Sequence, residues 1–394
     1  MLRPTSTPKS THSGGRGSIT DISAAAYGAI LPTSYRKALD MLTNTENSSY
    51  PPLATISDEE MLLTANEMLA NFCQRKHEWN DGCEWAAKEA KLYKLAGSPA
   101  ESNKSLSPFN MSSTVVNYLS TFIEALEYKL GGTQPELLSK KRAQVMDDGS
   151  DAEVYGPASF GKMFPGNTFE VFTSAAGADK EVDESDGSEN TTGKVCIVLG
   201  AGNNSGLALV DTLNNTLRHK RPVLLKHHPL RPWLAEPYSI ILEPLSKRGY
   251  FAQVQDESIA STKALLMDPS VGHVHVTGAL KTSQAIHETL HKAHPDFSNE
   301  KIKSMITSEL GCATPVVLDD GVYTETEIQH ACQIIVFWKK ANGGCNCLST
   351  QVVVLPKHWA QKDIFRAKLL EELKRQPTNP CYYPGSLERK AQSP

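Results

Sequence analysis

Apolar residues recur at helical spacing in the first third of the chain and give way to short apolar runs in the second half. Ser57-Asp58-Glu59-Glu60 has the form of a capping box, in which the serine oxygen accepts a backbone N–H and the glutamate reaches back to the cap. Met61, Leu62, Ala65, Met68, Leu69 and Phe72 follow on one helical stripe. A second helix is predicted through Trp85, Ala86, Tyr93 and Leu95. A third runs through Val115, Val116, Leu119, Phe122, Ile123 and Leu126 and stops at Gly131-Gly132. Residues 1–25 are polar and read as a disordered tail, although Arg3, Lys9 and Arg16 without an acid before Asp21 also give a weak organelle-leader signal. Residues 174–193 are acidic and rich in Gly and Ser, which reads as a mobile loop at a domain boundary.

Beyond that loop the period alternates. Val195-Cys196-Ile197-Val198-Leu199 is a short apolar run that ends in a glycine-containing turn. A helix follows through Leu207, Val210, Leu213 and Leu217. Strands at 223–225, 250–254 and 274–276 are each followed by a helical stretch, at 234–248, 259–267 and 281–292. Such strand–helix units predict a parallel sheet covered on both faces, with ligands at the carboxyl ends of its strands. A strand at 303–308 leads to Glu309. A strand at 315–318, a helix capped by Thr324-Glu325-Thr326-Glu327, the turn Asn342-Gly343-Gly344 and a strand at 351–355 complete the pattern. The fold class is therefore α/β: a helical N-terminal segment (26–173), a nucleotide-binding domain with a Rossmann-like parallel sheet (194–300) and a second, partial α/β catalytic domain (301–394).

Charge adds little. With 40 basic and 44 acidic residues the net charge is -4, without the basic excess of a nucleic-acid binder, so no nucleic-acid partner is expected. No apolar run approaches a membrane span. The eight cysteines form no disulfide framework, which favours reduced thiols and a cytoplasmic setting.

Two places hold residues able to do chemistry. Cys347 lies past a glycine turn, where a thiolate can be exposed to a ligand and act as a nucleophile; a pair of buried structural cysteines is the plainer reading of Cys345 and Cys347. A metal site is disfavoured, because Cys345-x-Cys347 has no second pair at ligand spacing. Glu309, between a strand and a glycine, could serve as a base or simply sit at the surface.

Taken in order, these segments resemble the aldehyde dehydrogenase superfamily. Glu309-Leu310-Gly311-Cys312 through Asp320 is similar to its Glu-Leu-Gly-Gly stretch, and Asn342-x-Gly344-x-x-Cys347 to its nucleophile motif. Gly200-Ala201-Gly202-Asn203-Asn204-Ser205 resembles its Asn-bearing turn, Val223-Leu224-Leu225-Lys226 its lysine strand, and His275-Val276-Thr277-Gly278 its Phe-Thr-Gly-Ser turn. The resemblance covers roughly 195–355. It implies NAD- or NADP-dependent oxidation of an aldehyde to an acid through a thiohemiacetal and thioester on Cys347. Asn203 would hold the oxyanion and Glu309 would activate water. Gly200, Gly202, Lys226, Thr277, Gly278 and Ala279 would bind the cofactor. Pro229 stands where many NAD-preferring members have a carboxylate, with His227, His228 and Arg231 around it, so NADP stays open beside a bland solvated strand end. Ala279, Cys345 and Cys312 depart from the family's usual serine, glutamine and glycine. The family continues beyond the position of Pro394 with its Glu-x-Phe segment and oligomerisation strand, so a truncated product with an exposed catalytic-sheet edge is expected. The partners implied are a small aldehyde and a second copy in a homo-oligomer. Two other functions fit the same residues: an acyl-CoA or fatty-acyl reductase using the same thioester, and an inactive nucleotide-binding or interaction protein.

Overall fold

The structure, a computed structural model, describes residues 31–44, 49–89, 112–146, 148–159, 168–174, 194–255 and 258–376. The 1–25 tail, nearly all of the 174–193 loop and the sequence around Tyr93 and Leu95 lie outside the described residues.

The N-terminal segment holds helices α1 (Thr33–Thr43), α2 (Asp58–Glu89), α3 (Ser112–Lys129) and the short α4 (Glu136–Ser139), of which α1 and α4 were not predicted. The first two predicted helices are partly one: α2 runs through Trp85, with a break at Arg75. Ser57 accepts from the Glu60 N–H at 3.2 Å, but the Glu60 carboxylate does not close the box. It bonds Arg248 across the domain at 3.1 Å, and Glu67 takes a second Arg248 donor at 3.0 Å. A buried guanidinium is a stronger claimant than a backbone N–H that water can satisfy.

Not all of 26–173 is helical. β1 (Lys141–Val145), β2 (Asp151–Ser159) and β3 (Thr168–Ser174) form an antiparallel three-stranded sheet. Its edge strand β1, Lys-Arg-Ala-Gln-Val, escaped the sequence reading because it is exposed throughout and shows no apolar alternation.

β4 (Val195–Leu199), β5 (Val223–Lys226), β6 (Phe251–Val254), β7 (Val271–Gly278) and β8 (Ile306–Leu310) make one parallel sheet in the order β6-β5-β4-β7-β8. Its connections are α5 (Leu207–Leu213) with a π-helical turn after it, α6 (Ala235–Ile241) and α7 (Glu243–Lys247), α8 (Ile259–Leu266), and α9 (Leu280–Ala293) with α10 (Asn299–Ser304). The helix predicted at 234–248 is broken at Leu242, just before Pro244. The strand predicted at 303–308 begins later: 303–304 close α10, and Glu309 lies within β8.

Strand alternation sorts the core. Cys196, Val198, Val223 and Leu225 face α5, α6 and the N-terminal helices α2 and α3. Val195, Ile197, Leu224, Val274 and Val276 face α1 and residues of α8, α9 and α10. Each such aliphatic side chain contributes about 1.5–3 kcal/mol on burial. The helical segment thus packs on the parallel sheet. Trp79 stacks on Tyr238 with centroids 6.0 Å apart, and the Tyr238 hydroxyl donates to the Ser205 carbonyl at 2.6 Å. This ties α2, through α6, to the turn after β4.

The last unit has β9 (Pro315–Val317) paired in parallel with β10 (Val352–Val354), and α11 (Glu325–Lys340) packed on α12 (Lys362–Arg375) through Ile328, Cys332, Ile335, Trp359 and Phe365. The α11 capping box is complete. Val317, Val352 and Val354 are exposed on this small sheet.

Candidate active site

The strand order reverses at β4, whose neighbours are β5 on one side and β7 on the other. The crevice at a parallel sheet's switch point is where such folds bind ligands. Two turns border it: Gly200–Ser205 after β4, and Thr277–Ala279 at the end of β7. At Gly200 a Cβ would meet the Ala208 Cβ at 3.2 Å and the Lys226 carbonyl at 3.3 Å, so α5 and β5 approach as closely as glycine permits. At Gly278 a Cβ would touch only Val276, at 3.7 Å, and the backbone there is open to an approaching group.

Thr277 is also held from below. Its hydroxyl donates to Asp211 Oδ2 at 3.0 Å, and the other oxygen of Asp211 lies 3.3 Å from His275 Nε2. His275 Nδ1 and His273 Nε2 both contact the Thr307 hydroxyl, at 2.8 and 3.0 Å. This row crosses from α5 to β8, and Glu309 stands one alternation beyond Thr307, in register with Thr277. Burial, reinforced by Arg221, pushes His273 down to about 3. The sequence reading did not single out Asp211. The available signal was a carboxylate on a helix otherwise read by its apolar stripe.

Lys226 and Arg231 are 9% and 2% exposed, and His227 is buried against Gln253 at 2.7 Å. The stretch is therefore not a solvated strand end. His228 is driven down to about 4 by burial and by the cations of Arg231 and Lys226.

The Cys345–Cys347 loop docks onto the β4 turn. Asn203 Nδ2 donates to the Cys345 carbonyl at 2.9 Å, and Asn342 Nδ2 donates to the Asn203 carbonyl at 2.6 Å and to Asn346 Oδ1 at 2.8 Å. Asn342, Gly343 and Gly344 all have left-handed backbones, with φ of 54°, 64° and 73°. Only Gly or Asn takes that conformation cheaply, which explains the Asn-Gly-Gly run. Cys347 and Glu309 are exposed, and among the described residues Glu309 makes no side-chain hydrogen bond or ion pair. The two are joined indirectly. Three residues after Glu309, Cys312 donates to the Cys347 carbonyl at 3.3 Å, and the Thr314 hydroxyl reaches the same oxygen at 3.1 Å. Thr314, with φ of 31°, is a further residue the sequence reading passed over.

The described residues contain no cluster of three or more side chains that could hold a metal ion, and no helix long and apolar enough to cross a membrane. None of Cys73, Cys196, Cys312, Cys332, Cys345 or Cys347 forms a disulfide.

The chain as a whole is similar to known proteins in part of its sequence and in its fold. The sequence profile of the aldehyde dehydrogenase family matches residues 223–383, from β5 onward. The fold is similar to lactaldehyde dehydrogenase from Escherichia coli (TM-score 0.53, 16% identity, covering 91% of this chain and 62% of that one). It is also similar to Mycobacterium tuberculosis aldehyde dehydrogenase complexed with NAD+ (TM-score 0.52, 14% identity, 88% and 58%). A third structure, 3,6-anhydro-L-galactose dehydrogenase, gives a TM-score of 0.53 at 12% identity, over 91% and 62%. The chain spans less than two thirds of the length of these structures. No curated protein matches it by sequence. The profile match over residues 223–383 and the shared fold make the chain similar to the aldehyde dehydrogenases.

Proposed function

We propose that this protein oxidises an aldehyde to a carboxylic acid with a nicotinamide dinucleotide as acceptor, through a covalent adduct on Cys347. The observation that best supports this is the pair of hydrogen bonds clasping the Cys345–Cys347 loop to the Asn203 turn, at the switch point of the sheet.

The Cys347 sulfur attacks the carbonyl carbon, a C–S bond forms, and the oxygen becomes an oxyanion. The Cys347 N–H and the Asn203 amide stabilise it, each such donor being worth about 3–4 kcal/mol. One of the two Asn203 Nδ2 N–H groups already donates to the Cys345 carbonyl. The turn Gly200–Ser205 with its Gly202, Lys226, and Thr277, Gly278 and Ala279 would hold the dinucleotide, whose nicotinamide supplies the two-electron acceptor. The open backbone at Gly278 and the buried cation of Lys226 suit a phosphate-bearing ligand. Glu309 then takes a proton from water, the hydroxide adds to the acyl carbon, and the C–S bond breaks to release the acid and the thiol. A reducing intracellular setting and a homo-oligomer belong to the same reading.

The test is absorbance of reduced nicotinamide with residues 1–394, both cofactors and a panel of short and long aldehydes. A signal that Cys347→Ser removes is expected; a signal that survives it overturns the reading. One observation favours a second reading, nucleotide binding without turnover: the Asn203 amide is engaged by Cys345. A thermal shift with NAD or NADP but silence across the panel would decide for it.

A further inference from the structure

Cys312 occupies the position after Glu309-Leu310-Gly311, and the function proposed above gives it no task. It is exposed, as is Cys347. Its sulfur lies 3.3 Å from the Cys347 carbonyl oxygen and 2.8 Å from the Thr314 hydroxyl. We propose that Cys312 and Cys347 form a thiol–disulfide exchange site, in which Cys312 captures a low-molecular-weight disulfide and then pairs with Cys347.

Standard bond dimensions bound the Cα–Cα separation of the two cysteines at about 8.5 Å, given that contact. Disulfides form at about 4.4–6.8 Å, so closure needs a shift of a few ångströms at most. The Cys347 loop can supply it, because it hangs from the left-handed Asn342-Gly343-Gly344 turn and its carbonyl is held from the Cys312 side only by Cys312 and Thr314. Ionisation of Cys312 loosens that hold. The thiolate no longer donates to the Cys347 oxygen, and it draws the Thr314 hydroxyl proton to itself. The Thr314 hydroxyl and backbone N–H already hold the Cys312 thiol below the usual range, which raises the fraction able to react.

The chemistry balances without a metal. The Cys312 thiolate attacks a disulfide RSSR, forming Cys312–S–S–R and releasing RS⁻. The Cys347 thiolate then attacks the Cys312 sulfur, forming the protein disulfide and releasing the second RS⁻. A small thiol reverses both steps. Cys345 is a poorer partner: its sulfur turns back onto the Gly343 carbonyl at 3.7 Å. On the function proposed above, the bond masks the nucleophile, but its formation does not depend on that function.

The test uses the full chain in glutathione redox buffers, with intact mass, tandem mass spectrometry of non-reduced peptides and iodoacetamide labelling of Cys347. The expected result is a loss of two hydrogens, a Cys312–Cys347 cross-link retained in Cys345→Ser and absent in Cys312→Ser, and labelling of Cys347 restored by dithiothreitol. Cys312→Ser should slow oxidation of Cys347 about tenfold, since the paired thiol is the faster entry. A Cys345–Cys347 bond, or glutathione stably attached to Cys312 and Cys347 without a cross-link, would overturn the proposal. These readouts need no aldehyde turnover, so failure of the catalytic reading would leave them intact.

Discussion

Asn342 donates to the Asn203 carbonyl at 2.6 Å while Asn203 donates to the carbonyl of Cys345 at 2.9 Å, so two asparagines 139 residues apart clasp the Cys345–Cys347 loop to the first turn of the parallel sheet. Asn342 carries this with a left-handed backbone. Asn342→Ala loses both side-chain bonds and strains the backbone, and is expected to lower stability by about 2–4 kcal/mol in urea unfolding. Asn342→Gly loses the bonds alone and should be milder by about 1 kcal/mol. Equal losses would show that the backbone conformation costs nothing.

Asp211 ties the end of β7 to α5 through Thr277 and His275. Asp211→Leu leaves the Thr277 hydroxyl without its acceptor and should cost about 1–3 kcal/mol; Asp211→Asn keeps an acceptor and should cost less. The Kd for dinucleotide, measured by calorimetry, should rise in the same order. The idea fails if both variants bind the dinucleotide as the parent does.

Acid should destabilise the fold through His273. Its folded pKa, near 3, lies below the unfolded value near 6.5, so between these limits the unfolded chain binds the extra proton. Stability is then complete above about pH 6.5 and falls as the pH drops toward 3, at up to about 1.4 kcal/mol per unit for one group. His273→Gln should flatten the pH dependence of the urea midpoint over that window. An unchanged slope would mean that His273 is charged in the folded protein.

The charge near the Lys226 strand end comes from fixed cations. With His228 near 4, its ring is neutral at physiological pH, which leaves Lys226 and Arg231. The affinity for NADP relative to NAD should therefore stay level from pH 8 to 6 in equilibrium titrations. A ratio climbing severalfold as the pH falls would assign a protonating histidine to the 2′-phosphate.

Glu309→Gln separates the two halves of the proposed reaction. Steady-state turnover should fall about 10²–10⁴-fold, while a single burst of reduced nicotinamide, one per Cys347, persists. Loss of the burst as well would place Glu309 before acyl transfer.

Local pattern was enough for much of this molecule. The strands at 195–199, 223–226 and 251–254 were legible because both faces are largely buried and their residues are mostly apolar. The Thr324 cap and the Asn342-Gly343-Gly344 turn were legible because each answers a backbone requirement within a few residues. The same local rules failed at β1–β3, whose strands are defined by pairing with each other, and at Glu60, whose carboxylate left its cap for Arg248, 188 residues away. The site divides in the same way. Motifs in an order resembling the aldehyde dehydrogenases marked Cys347, Glu309 and Asn203 as candidates. Only the tertiary structure seated Cys312 and Thr314 on the Cys347 carbonyl, turned the Asn203 amide onto Cys345 and buried Asp211 under Thr277. Those contacts join segments far apart in the chain, and a hydrogen bond depends on where two backbones meet in space, which local sequence does not encode.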